Sequence, residues 1–145
     1  MLIADILREK GAHVETTTSK VLLKDAIKTL ASQRIGALLV SEDGRTIDGI
    51  LSERDVVRAL ADDSVQFDAQ TVGQLMTRGV FSCAPEDSVN QVMQLMDEKR
   101  IRHVPVTVNE ILVGVVSIRD IVSARLKEAE AERAELANYI VGAPA

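Results

Sequence analysis

Gly49-Ile50-Leu51-Ser52-Glu53-Arg54-Asp55 and Gly114-Val115-Val116-Ser117-Ile118-Arg119-Asp120 repeat one pattern: glycine, two apolar residues, serine, a variable residue, arginine, aspartate. An apolar run that meets Ser-x-x-Asp predicts a strand giving way to a helix. The serine hydroxyl accepts a first-turn N–H, and the acid three residues on reaches back to the serine N–H. A single copy is explained well enough as an ordinary capping box. Two copies, each with arginine before the acid, point further. A strand-to-helix switch leaves free N–H groups and a helix dipole that favour anions. A carboxylate there can accept from the two hydroxyls of a ribose, the arginine can meet a phosphate, and Leu51 and Val116 are expected to flank a flat base.

The repetition extends outward from this corner. Val14-Glu15-Thr16-Thr17-Thr18 answers to Val80-Phe81-Ser82-Cys83-Ala84, and Ile35–Val40 to Ile101–Val106, each 66 residues apart. Ser52 and Ser117 stand 65 apart, so the second copy lacks one residue between its last two strands. Each copy reads β-α-β-β-α. Val14–Thr17 and Val80–Cys83 are predicted as first strands. Leu23, Ala26, Ile27 and Leu30 fall at helical spacing within 22–34, as do Val89, Val92, Met93 and Met96 in the counterpart. Ser19 is the expected cap of the first of these helices, and Asp87 or Ser88 of the second. Ala37–Val40 and His103–Val106 are the next strands. Asp43-Gly44 is a turn signal, and Asn109-Glu110 takes its place in the second copy. Ile47–Leu51 and Leu112–Val116 complete the strands. Thr71–Met76 reads as a short connecting helix, the internal equivalent of Leu2–Leu7. The Ala/Glu-rich stretch from Arg119 to Ile140 reads as one long helix, ending at Gly142 and Pro144.

The expected fold is therefore α/β (α+β), with two β-α-β-β-α repeats packed sheet to sheet about a pseudo-two-fold axis and sharing one core. The division is 1–70 (first repeat with its leading helix), 71–127 (second repeat) and 128–145 (helical tail). Neither repeat of about 55 residues buries enough surface to be comfortable alone.

Composition narrows the function. Hydrophobic residues are 46% and charged residues 27% of the 145, which suits a globular protein. Aromatics are 2%, leaving few platforms for stacking single-stranded nucleic acid. The net charge is −5 with no basic stripe, which argues against binding a nucleic-acid backbone. The charged N-terminus does not read as a signal peptide, and no apolar run reaches membrane-spanning length, so a cytoplasmic location is expected. The lone Cys83 excludes an intrachain disulfide. His13 and His103 have no metal-protease spacing, and no GxSxG or GxxxxGK[ST] occurs. No enzymatic activity, catalytic cofactor or metal is expected.

Arg102-His103 precedes the strand at Val104 and can supply a second phosphate contact. The first copy has Gly36-Ala37 there and supplies none. The second cleft, with Arg102, His103 and Arg119, is therefore expected to be the better nucleotide site. The first has Arg54, Thr16–Thr18 and Lys20.

The paired Gly-x-x-Ser-x-x-Asp motifs, in their β-α-β-β-α setting, resemble the CBS (cystathionine β-synthase) domain, and the pair resembles a Bateman module, from about Leu2 to Leu126. The resemblance implies a regulatory, energy-sensing module whose ligand carries adenosine: AMP, ADP, ATP, S-adenosylmethionine or, as a redox sensor, NAD(H). It implies ribose contacts at Asp55 and Asp120, with Ser52 and Ser117 beside them. It implies first-strand contacts at Thr16, Thr18, Ser82 and Cys83. Contacts before the second strand fall at Ile35, Gly36, Ala37, Ile101, Arg102 and His103. It also implies a disk-like homodimer. Most such pairs regulate a fused enzyme or channel, for which this sequence has no room, so a separate target protein is expected. A dimerisation unit without a physiological ligand is the alternative.

Overall fold

The computed structural model describes residues 1–142, so Pro144, an expected helix stop, lies outside the described residues. The elements are α1 (Ile3–Lys10), β1 (Thr16–Thr17), α2 (Leu23–Gln33), β2 (Ala37–Val40), β3 (Gly49–Ser52), α3 (Glu53–Ala61), α4 (Val72–Leu75), α5 (Val89–Lys99), β4 (His103–Val108), β5 (Ile111–Ser117) and α6 (Ile118–Gly142), with a short 3-10 turn at Phe67–Ala69. One sheet has the order β1-β2-β3, with β1 parallel to β2 and β2 antiparallel to β3. The other is the antiparallel pair β4-β5.

The first strands are shorter than the apolar runs suggest. Val14 and Glu15 lie outside β1, and the expected strand Val80–Cys83 shrinks to one parallel bridge between Cys83 and Val106. Its N–H and C=O bond Pro105 and Thr107 at 3.0 and 2.9 Å, and Val80–Ser82 are not part of the ladder. Asn109 and Glu110, with φ of 50° and 67°, form the tight turn between β4 and β5. Ser88 caps α5, accepting the Gln91 N–H at 3.1 Å. Ser19 does not cap α2: its N–H and hydroxyl both donate to the Glu42 carboxylate, at 2.9 and 2.6 Å, and Leu22 takes the cap position instead.

The buried residues form two clusters rather than one shared core. The first joins Leu23, Ala26, Leu30, Leu38, Val40 and Leu51 to Val72 and Met76. The second joins Val89, Val92, Met96, Val104, Val106, Val116 and Ile121 to Ile3 and Ile6. The leading helices are thus exchanged. Helix α1, at the chain start, packs on the second repeat: Leu2 bridges Ser88, and the Ile3 and Ala4 N–H groups donate to Asp87 and Pro85. Helix α4, between the repeats, packs on the first: Thr71 bridges Leu22, and the Val72 N–H donates to Val21 at 2.8 Å.

This exchange explains the glycine that opens each motif. A Cβ on Gly49 would stand 2.7 Å from Met76 Sδ and 2.9 Å from the Thr77 carbonyl oxygen. A Cβ on Gly114 would stand 2.7 Å from Leu7 Cδ2. In each repeat the glycine opens the sheet surface on which an exchanged helix lays an apolar side chain.

Helix α6 runs unbroken through 25 residues, but only Ile121 and Ala124 are buried, so its far half stands away from the body. Among the described residues no helix is long and apolar enough to cross a membrane.

Candidate functional site

Both motif corners form as the sequence predicts. The Asp55 carboxylate accepts the Ser52 N–H at 2.9 Å and its hydroxyl at 3.1 Å; the Asp120 carboxylate accepts the Ser117 N–H at 2.8 Å. The first helical N–H of α3, on Glu53, donates to Gly36 at 3.0 Å, and that of α6, on Ile118, to Arg102 at 2.8 Å. Each corner is thereby tied to the segment that precedes its repeat's second strand.

Two clefts open between the repeats. The first, of about 300 Å³, combines Ser52, Arg54 and Asp55 of the first motif with Arg100, Ile101, Arg102 and His103 of the second repeat. The second, of about 560 Å³, combines Ser117 and Arg119 of the second motif with Arg34, Ile35, Gly36 and Ala37 of the first repeat. The construction is crosswise: a motif from one copy faces the pre-strand segment of the other. Arg102 and His103 line both clefts, so that pair does not by itself favour the second.

Several expected residues stand elsewhere. Thr16, Thr18, Lys20, Ser82 and Cys83 are absent from the walls of either cleft. Cys83 is in the second core, where burial, with the Asp87 carboxylate adding, pushes its thiol up to about 12. Leu51 and Val116, expected beside a base, are fully buried in the two cores. Strand alternation puts their neighbours Ile50 and Val115 on the cleft walls instead.

The structure adds residues that the motif did not reveal. Arg58, Thr77 and Lys99 line the first cleft; Lys10, His13, Glu15 and Gln33 line the second. Arg34 and Arg100 end α2 and α5 in the left-handed region, with φ of 55° and 54°. Glycine is the usual residue there, and a side chain costs about 1 kcal/mol. Their shared spacing of 66 residues was the signal that could have found them. The first cleft is strongly basic. Arg54 is held by a 2.9 Å bond to the Arg100 carbonyl oxygen, while Arg58, Lys99, Arg100 and Arg102 form no ion pair among the described residues. Lys99 lies 5.1 Å from the centre of the Phe81 ring. His103 sits against Gly36 between the clefts; burial lowers its pKa against the pull of Glu53 and Asp120, which keeps the ring neutral near pH 7.

The two acids differ in setting. Asp55 faces the Thr77 hydroxyl at 3.3 Å. Asp120 is held by the Lys10 ammonium at 2.7 Å.

Fold and site together define a tandem β-α-β-β-α module with two inter-repeat clefts. The chain belongs to the CBS-domain family: the CBS domain model matches residues 3–62 and again 72–127. The mitochondrial CBS domain-containing protein CBSX3 of Arabidopsis thaliana is 33% identical over 97% of this chain and 72% of its own length. A CBS-domain containing protein from Agrobacterium tumefaciens is 38% identical, with a TM-score of 0.82 over 86% of this chain and 99% of that one. Two further solved structures contain ligands. A CBS domain protein of Pyrobaculum aerophilum, complexed with AMP, is 25% identical with a TM-score of 0.73 over 83% of this chain and 89% of that one. A CBS domain pair in complex with 5-methylthioadenosine and S-adenosyl-L-methionine is 28% identical, with a TM-score of 0.75 over 87% of this chain and 98% of that one.

Proposed function

We propose that this CBS pair is a non-catalytic regulatory module that binds an adenine nucleotide of the AMP class and reports its occupancy to a separate target. The carrying observation is the first cleft, where Ser52 and Asp55 share a wall with Arg58 of their own repeat and face Lys99, Arg100 and Arg102 across the repeat boundary, none of the four cations being in an ion pair among the described residues. The acid suits a ribose diol, the cations suit phosphate, and Ile50 and Ile101 offer apolar walls for a base. The ligands of the two structural relatives share adenosine, which supports the same reading. The cytoplasm is the proposed compartment.

Thermal melting in the presence of AMP, ADP, ATP, NADH, S-adenosylmethionine and GMP tests this. At 100 times its dissociation constant, a ligand of the folded state adds about 2.7 kcal/mol. An adenine ligand should raise the melting temperature, and Asp55→Ala should abolish most of the rise. A flat response to all adenine compounds would sink the reading.

The competing role is a dimerisation unit without a ligand. Val57 and Leu60 on α3, and Val122 and Leu126 on α6, are exposed apolar residues on helices that follow equivalent motifs. Such a paired apolar surface suits a second copy of this chain. We propose a homodimer joined through this face, carrying the nucleotide sites as well. Light scattering of a chain ending at Lys127 should still report a dimer if α3 and the near half of α6 form the contact.

A further inference from the structure

We infer that Lys10 sets what the second cleft can accept, by screening Asp120 so that this cleft does not read a ribose diol. The inference rests on the nucleotide-binding reading above and deepens it: the two clefts take ligands by different chemistry.

The exchanged helices create the difference. In the first cleft, the chain leaving α4 presents the Thr77 hydroxyl to Asp55, and Asp55 is itself on the cleft wall. In the second, α1 is eight residues long and brings its last residue, Lys10, to Asp120. Lys10 lines the second cleft; Asp120 does not. Asp120 lies instead in a smaller cavity of about 250 Å³, with Ile6, Ser123, Ala124 and Lys127, and Lys10 is the residue common to the two spaces. One oxygen, Asp120 Oδ2, takes both the ammonium and the Ser117 N–H. Asp120 Oδ1 accepts no hydrogen bond among the described residues, but a diol entering from the cleft meets Lys10, which lines it, before it reaches Asp120, which does not.

Lys10 is held in place. The neighbouring Glu9 binds Lys127 of α6 at 2.7 Å, and the N-terminal ammonium lies 3.4 Å from Glu128. The cleft keeps its own cations, Arg34, Arg102 and Arg119, alongside Lys10, against Glu15 and Glu53. It can thus hold a phosphate-bearing ligand by its anion, whatever its sugar hydroxyls.

Calorimetric titration of the full chain with AMP and with 2′,3′-dideoxy-AMP, which lacks the diol, tests this. In the wild type, loss of the diol should weaken the first cleft about tenfold or more, the size of a lost charge-assisted hydrogen bond. The second cleft should bind the two probes within about twofold, or bind neither. Lys10→Met should give the second cleft an AMP site that depends on the diol, whereas Lys10→Arg should keep the wild-type pattern. Asp55→Asn, in each background, assigns the clefts. If Lys10→Met is unstable, Lys10→Gln replaces it. Two diol-dependent sites in the wild type, or an unchanged second cleft after removal of Lys10, would overturn the inference while leaving nucleotide binding intact. Absence of AMP binding to every variant would instead remove the reading beneath it, and this inference with it.

Discussion

Gly49→Ala places a methyl group where the structure has no room. Its Cβ would meet Met76 Sδ at 2.7 Å, Met76 Cγ at 3.0 Å and the Thr77 carbonyl oxygen at 2.9 Å. The sulfur can swing away, but the carbonyl cannot easily follow. It accepts the Ile50 N–H at 2.9 Å, and the Thr77 N–H donates back to Ile50 at the same distance. Overpacking of this kind costs roughly 1–3 kcal/mol. Alanine recovers about 0.5–1 kcal/mol through its smaller loss of backbone entropy. The backbone clash puts the gross cost near the upper end, so a net loss of about 2 kcal/mol is expected, a fall in melting temperature of roughly 4–8 °C at this chain length. Gly114→Ala is the internal control, because its short contacts are both with the terminal methyls of Leu7. A rotamer change relieves them, so the net loss should be under about 1 kcal/mol. Urea unfolding of the two variants, compared at unchanged slope, measures the difference. In the double variant Gly114→Ala/Leu7→Ala the two costs should be less than additive. A Gly49→Ala protein as stable as wild type, or less affected than Gly114→Ala, would refute the view that the motif glycine exists to admit the exchanged helix.

Two other outcomes are expected. Cys83, with its thiol pushed up to about 12 chiefly by burial, should react with a disulfide reagent at pH 8 far more slowly in the native protein than in urea; equal rates would contradict its place in the core. Burial alone would raise the Asp120 pKa, but the hydrogen bonds from Lys10 and the Ser117 N–H outweigh it and leave the folded value below that of a free aspartate. The resulting stabilisation is present above about pH 4, the unfolded value, and is lost as pH falls through the folded one. Urea titrations from pH 5 downward should therefore show a shallower acid loss for Asp120→Asn than for wild type.

Much of the architecture was legible in the repeat, because a duplicated motif reports on its own alignment. The strand at Ala37–Val40, the Ser-Asp corners and the long last helix follow from local patterns of apolar spacing and capping. What escaped were features set by distant partners. Ser19 looks like a cap until Glu42, 23 residues on, takes its hydroxyl. Val80–Ser82 have strand-like residues but no neighbour to pair with. A continuous apolar strand does not declare which face is wet, so the sequence alone places Leu51 and Val116 on the ligand side; both are buried, and Ile50 and Val115 line the clefts instead. The exchange of α1 and α4 left no local trace, since an amphipathic stripe does not name the repeat that covers it. Lys10 was hidden for the same reason, as its partner Asp120 is 110 residues away.

That exchange also bears on how the chain is made. Helix α1 is made before the rest of the described fold, yet its cradle on α5, β5 and α6 is among the last parts made. At roughly 5–20 residues per second, α1 waits several seconds or more for a surface to cover Ile3 and Ile6. The first repeat has no such delay, because α4 follows it directly and closes its core with Val72 and Met76. The order of core closure thus runs from the first repeat with α4, through the second repeat, to the late docking of α1. Once the chain has emerged from the ribosome as far as about residue 80, the first core can close around α4, while α1 still has no surface to dock on.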